Sequence, residues 1–140
     1  MTRAEIERRL AEHQAAFLAR SADALATTHA PDGVFESPAH GIVHGRDAIR
    51  EVYRYWYAAF PDMMLTWGEA LIDPPRAALF WNFAGTTTGH FFGDVRPGTP
   101  VKMLGAAEYT FGEAGIISVR HIFDFSAVLV TAGVLRIKPS

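Results

Sequence analysis

The chain has no cysteine. That excludes a disulfide framework, a thiol nucleophile and a zinc–thiolate site, and it fits a cytoplasmic location. No apolar run reaches the roughly 18 residues of a membrane span. The N-terminal stretch "MTRAEIERRLAEHQAAF" is charged and lacks the apolar core of a signal peptide, so no membrane association is expected. A surplus of either charge is absent too. The chain carries 13 Lys and Arg against 15 Asp and Glu, and a net charge of -2 leaves no electrostatic footprint for nucleic acid. No serine sits in a Gly-x-Ser-x-Gly elbow. The glycine clusters "GTTTG" and "GEAG" lack the strand–glycine–helix order of a nucleotide loop. There is no internal repeat and no long linker.

What the chain does have is apolar and aromatic mass. Of 140 residues, 49% are hydrophobic, and ten Phe, four Tyr and three Trp are more than a small core usually needs. A single domain of this length builds a core without staples. Apolar residues at helical spacing predict a helix over residues 3–19, and Ser21 is placed to cap a second, short one. "HAPDGVFES" reads as a turn into a strand over residues 34–37, and "SPAHGIVHG" as a loop. A third helix over residues 46–60 stops before Pro61. Strands follow over residues 63–72, 77–89, 101–111 and 116–123, separated by "DPPR", "GDVRPGTP" and "GEAG". A short helix after Ser126 ends at Gly133. Helices first and a strand meander after predict an α+β domain over residues 1–140, with helices packed on one face of a curved, mainly antiparallel sheet.

The stretch "VRHIFDFS" holds the most informative polar residues. Asp124 sits between two phenylalanines, where a carboxylate is costly unless compensated. It reads either as a cap for the next helix or as a buried acid/base. Alternation puts Ile117, Val119, His121 and Phe123 on one face, expected to be the inner one, and Ser118, Arg120, Ile122 and Asp124 on the other. Asp124 therefore reaches a cavity only if the strand breaks step between Ile122 and Asp124, and such a break is expected there. Without that break it is a surface partner for Arg120. His121, on the apolar face, is a candidate to touch a substrate or to tune an acid. Tyr53, Trp56, Trp67 and Trp81 are candidate aromatic walls for a flat ligand, with the Tyr53 hydroxyl suited to a developing oxyanion. His90, past "GTTTG", is a candidate to polarise a carbonyl. Asn82 and Glu108 are further polar candidates. His40 and His44 have the i, i+4 spacing of metal ligands, but their loop context and the absence of a flanking carboxylate predict no metal site.

Four segments together resemble the SnoaL-like polyketide cyclase (ester cyclase) family, within the nuclear-transport-factor-2-like superfamily. They are "GRDAI", "AAFPD" (residues 58–62), "GTTTGHFFG" (85–93) and "DFSAVLVTAG" (124–133). The resemblance implies an α+β cone enclosing a pocket. It implies cofactor-independent acid/base catalysis of an intramolecular aldol closure, or related lyase/isomerase chemistry, on an apolar carbonyl-bearing molecule. Asp124 would be the catalytic aspartate, and a homodimer or homotetramer would form, by way of the outer sheet face. Thr87 stands where the family has a histidine, Thr131 where it has a glutamine, and "VRPG" where it has Pro-Pro-Thr-Gly. A non-catalytic binding protein of the same fold is the alternative, as is an epoxide hydrolase or dehydratase, which would draw on Arg120 and Asp124.

Overall fold

The computed structural model describes residues 1–139. The elements run α1 (Arg3–Leu18), α2 (Ala22–Thr27), β1 (His29–Ser37), β2 (Gly41–His44), α3 (Arg46–Ala59), β3 (Met64–Trp67), β4 (Leu71–Asp73), β5 (Arg76–Thr86), β6 (Pro100–Gly112), β7 (Gly115–Phe123) and α4 (Phe125–Ala132). This is the expected α+β arrangement, with helices packed on a curved, unclosed mixed sheet. Strand order is β2-β1-β7-β6-β5-β3, with β4 also paired to β5. All pairings are antiparallel except β1 with β7, which joins the first strand to the last in parallel.

Local chemistry sets the helix boundaries. Thr2 and Glu5 form a reciprocal capping box at the start of α1. The Ser21 hydroxyl accepts from the Ala24 N–H at 3.0 Å and starts α2, as the sequence predicts. Helix α3 buries Ile49, Val52 and Tyr53 along one stripe and ends just before Pro61. Gly133, at φ 89°, closes α4 in the left-handed region that favours glycine.

Three boundaries differ from the sequence reading. β1 begins at His29, five residues early, because the parallel contact with β7 captures it across a register irregularity. "GIVH" is not a loop but an edge strand held by four pairings to β1. The single strand expected over residues 63–72 is two short ones, β3 and β4, which pair with successive parts of β5.

The long strands carry the core by alternation. On β5, Ala77, Leu79, Trp81 and Phe83 are buried, while Phe80 lies on the outer face at 71% exposure. On β6, Val101, Ala107, Tyr109 and Phe111 are buried, while Leu104 points out. Helices α1 and α3 cover the inner face, while α4 borders a groove on the outer face beside Phe80 and Leu104. Among the described residues, no helix is long and apolar enough to cross a membrane.

Candidate active site

Between α1, α3 and the concave face of the sheet lies a cavity of ≈ 80 Å³. Strand register explains why there is room. Trp81, Gly105 and Phe123 are cross-strand neighbours on β5, β6 and β7, and Leu79, Ala107 and His121 form the next row. The two small residues of β6 thus sit between large ones on either side. The Trp81 indole folds over Gly105: a Cβ built there would lie 2.3 Å from Trp81 Cζ2. Gly105→Ala is therefore expected to push the indole into the cavity and to destabilise the fold by about 1–3 kcal/mol. A thermal melt checks this, and an unchanged Tm would contradict the packing.

The lining is aromatic and apolar, with polar groups from Ser37, Tyr53, Tyr109, His121 and the indoles of Trp56, Trp67 and Trp81, and it contains no Asp, Glu, Lys or Arg. Three of these polar groups are engaged. Ser37 Oγ accepts from the His40 N–H at 3.1 Å. Trp56 Nε1 donates to His40 Nε2 at 2.9 Å. The Tyr53 hydroxyl and His29 Nε2 are 2.6 Å apart. Trp81 Nε1 and His121 Nδ1 are buried with no hydrogen-bond partner. A buried polar atom left unpartnered costs roughly 1–3 kcal/mol, so these two atoms are the costliest polar groups of the wall.

Electrostatics keep the cavity neutral. Burial pushes His121 down to about 4. It pushes His29, behind the wall, to about 3, with smaller contributions from His121 and Arg46. His13, beside His29 with ring centroids 5.5 Å apart, is held well below its ordinary value by burial and then by the two other histidines. Burial also raises Tyr53 and Tyr109, so both keep their protons. At neutral pH the site offers a neutral imidazole and neutral hydroxyls, in a desolvated setting where each hydrogen bond counts for more.

The structure brings Tyr53, Trp56, Trp67, Trp81 and His121 together around this cavity. It does not bring in Asp124. The step break expected between Ile122 and Asp124 is absent: Ile122 and Phe123 pair in regular register with Ala106 and Gly105. The irregularity of β7 lies at its other end, between the Thr110 and Phe111 pairings, and it turns Ile117 outward. Alternation then carries Asp124 to the exposed side, where Oδ1 accepts from the Ala127 N–H at 3.0 Å and caps α4. The cap reading of Asp124 accounts for this position. Its neighbours there include Phe80, Lys102 and Leu104 of an outer-face groove. Arg120 pairs not with Asp124 but with Glu36, at 2.6 Å on the same outer side. The two groups an epoxide hydrolase would use thus lie outside the cavity.

His90 is exposed in the loop after β5, bridged to Asp94, and does not line the cavity. Asn82 and Glu108 are exposed as well. The sequence reading passed over Tyr109, His13 and His29. Tyr109 shares the inner set of β6 with Gly105 and Ala107, so alternation alone would have found it. His13 lies three residues after Leu10 and four before Phe17, on the apolar stripe of α1, so helical spacing would have found it, whereas His29 sits in what reads as a turn and gave no such signal.

Residues 8–130 match the SnoaL-like polyketide cyclase family. The chain belongs to that family. Solved structures agree on the fold. AclR from Streptomyces galilaeus, described as a candidate hydroxylase, is 24% identical with a TM-score of 0.82, over 99% of this chain and 91% of its own. IdmH from Streptomyces antibioticus, described as a candidate polyketide cyclase, is 24% identical with a TM-score of 0.75, over 91% of this chain and 97% of its own. A protein of ketosteroid-isomerase-like fold from Catenulispora acidiphila, solved with trimethylamine, is 21% identical with a TM-score of 0.76, over 91% and 93%. The comparison with curated proteins returned no match.

Proposed function

We propose that this SnoaL-like protein is a cofactor-independent acid/base enzyme that closes a ring by an intramolecular aldol reaction, with His121 as the proton-handling group. The observation that carries the reading is the pair of unpartnered polar groups, His121 Nδ1 and Trp81 Nε1, in an otherwise aromatic wall. The imidazole lone pair takes the proton from a carbon flanked by two carbonyls. The resulting enolate carbon attacks a second carbonyl, and the C=O π pair becomes an alkoxide. The imidazolium then returns the proton to that oxygen. Atoms and electrons balance within substrate and His121, and no oxidant is needed. Trp81 Nε1–H is the donor available to oxygen as charge develops.

Two properties of the site support a particular substrate class. A wall without charged side chains favours an uncharged ligand. The low basicity of His121 calls for a carbon acidified by neighbouring carbonyls, as in a β-keto ester. For scale, a cavity of roughly 150 Å³ takes benzene. A cavity of ≈ 80 Å³ therefore holds the reacting end of a polycycle rather than the whole of it.

Deuterium exchange at the central carbon of an aryl β-keto ester tests the reading. The wild-type protein is expected to accelerate exchange over buffer, with a rate per protein that is flat from pH 6.5 to 8, since His121 is already unprotonated there. A rise centred near 6.5 would contradict the assignment. Binding of the ester with exchange at the buffer rate would instead favour a non-catalytic binding role, which the absence of any carboxylate in the cavity also supports.

We also propose a homodimer through the outer sheet face, where Phe80 and Leu104 are each 71% exposed and Ile122 59%. Apolar side chains clustered on one face are what an association surface supplies. Leu104→Glu is expected to convert a dimer to a monomer in light scattering. A wild-type protein that is monomeric at all concentrations would refute it.

A further inference from the structure

The outer face of the sheet is charged at its two ends and apolar between them, and β6 shows this most plainly. Along β6, Lys102, Leu104, Ala106 and Glu108 follow one another on the side away from the cavity. Strand register supplies their neighbours. Ala84 and then Met64 lie beside Lys102, and Asn82 and then Thr66 beside Leu104. Phe80 and Ile122 flank Ala106, and Ala78 and Arg120 flank Glu108.

Neither end is neutralised within the chain. Among the described residues Lys102 has no ion-pair partner, although Asp124 borders the same groove. Glu108 has none either, since its neighbour Arg120 is held by Glu36 at 2.6 Å and feels Glu108 only at longer range. The middle is uneven in height. Leu104 is a knob standing between two outer-face grooves. Ala106 is a small residue between two large ones, and with Phe80 and Ile122 it lines one of those grooves, of ≈ 350 Å³.

A second copy seated on this face is related to the first by a two-fold axis between the sheets. Two directions of that axis use β6 symmetrically. An axis along β6 sets Lys102 against the partner's Lys102, Glu108 against the partner's Glu108, and the two Leu104 knobs against each other. An axis across β6 at Gly105 reverses the partner strand. Lys102 then faces the partner's Glu108, twice by symmetry, and Leu104 faces the partner's Ala106. The first direction juxtaposes like charges and leaves the grooves unfilled. The second juxtaposes opposite charges and puts each knob into a groove.

We infer that two copies pack with their β6 strands antiparallel about a two-fold axis at Gly105, each Lys102 meeting the partner's Glu108 and each Leu104 entering the groove over the partner's Ala106. This register rests on the homodimer proposed above and specifies how its halves meet. Lys and Glu side chains are long enough to span the crossing angle of roughly 30° between packed sheets. The apolar middle holds the copies together, and the charge pairs select their orientation.

Sedimentation velocity over a concentration series at low salt compares wild type with Lys102→Glu, Glu108→Lys and the double variant. All three change exposed side chains, so the fold is retained, which a thermal melt checks. Each single reversal is expected to weaken the dimer by about tenfold or more, because it creates two like-charged contacts, and the double variant is expected to return to within about threefold of wild type. Ala106→Leu fills the groove and is expected to weaken the dimer too, whereas an axis along β6 would make that variant tighter. Single reversals with wild-type affinity would overturn the register. So would a double variant no tighter than the single ones, or an Ala106→Leu dimer tighter than wild type; the homodimer would then stand with another axis. A wild-type protein that is monomeric at every concentration would remove the homodimer and the register together.

Discussion

Lowering the pH from 8 to 5 is expected to remove most of the protein's stability. Three histidines, His13, His29 and His121, are held neutral by burial, with His29 at about 3 and His121 at about 4. In the unfolded chain each returns to about 6.5. Between that value and the folded ones, the unfolded state binds more protons than the native state, so stability falls as pH falls. Each fully expressed difference is worth about 1.4 kcal/mol per pH unit, and three acting together give about 4 kcal/mol per unit. A domain of this kind has roughly 5–15 kcal/mol in total. Urea melts at pH 8, 6 and 5 should show a steep loss below pH 6.5, with uptake of about three protons on unfolding. Equal midpoints at pH 8 and 5 would show that the three rings are not buried neutral.

The second large effect is at His121. Replacing it by Gln keeps a polar group of similar reach at the wall but removes the lone pair that accepts the proton. General acid/base catalysis by one group is typically worth 10²–10⁴-fold, and loss on that scale is expected in the exchange rate. Binding should change little, because Trp81 and the aromatic wall remain. A fall in affinity with an unchanged rate for bound substrate would make His121 a binding residue only.

How much of this was legible from sequence differs by element. The fold was, because period-two runs such as Leu79, Trp81 and Phe83 and the helical stripe of α3 each state which face is buried. β1 was not, since its first residues are held by a parallel partner 87 positions away in sequence, His29 against Ile116, which no local pattern reports. In the site, Tyr53, the tryptophans and His121 followed from alternation and helix facing. Asp124 did not follow. Motif resemblance placed it in the pocket and alternation placed it outside, and the structure has it outside, capping α4. The His13–His29–Tyr53 cluster depends on side chains from three elements meeting, so neither periodicity nor spacing could have shown it.

The most direct test sets the two candidate groups of "VRHIFDFS" against each other. Deuterium exchange of the aryl β-keto ester is measured with His121→Gln and Asp124→Asn at pH 7.5, beside wild type. Asn keeps an oxygen acceptor for the Ala127 N–H, so the cap and the fold are retained. With His121 as the base, the assignment requires a loss of about 10²–10⁴-fold for His121→Gln and a rate within about twofold of wild type for Asp124→Asn. The reverse result, exchange abolished by Asp124→Asn and retained by His121→Gln, would contradict it.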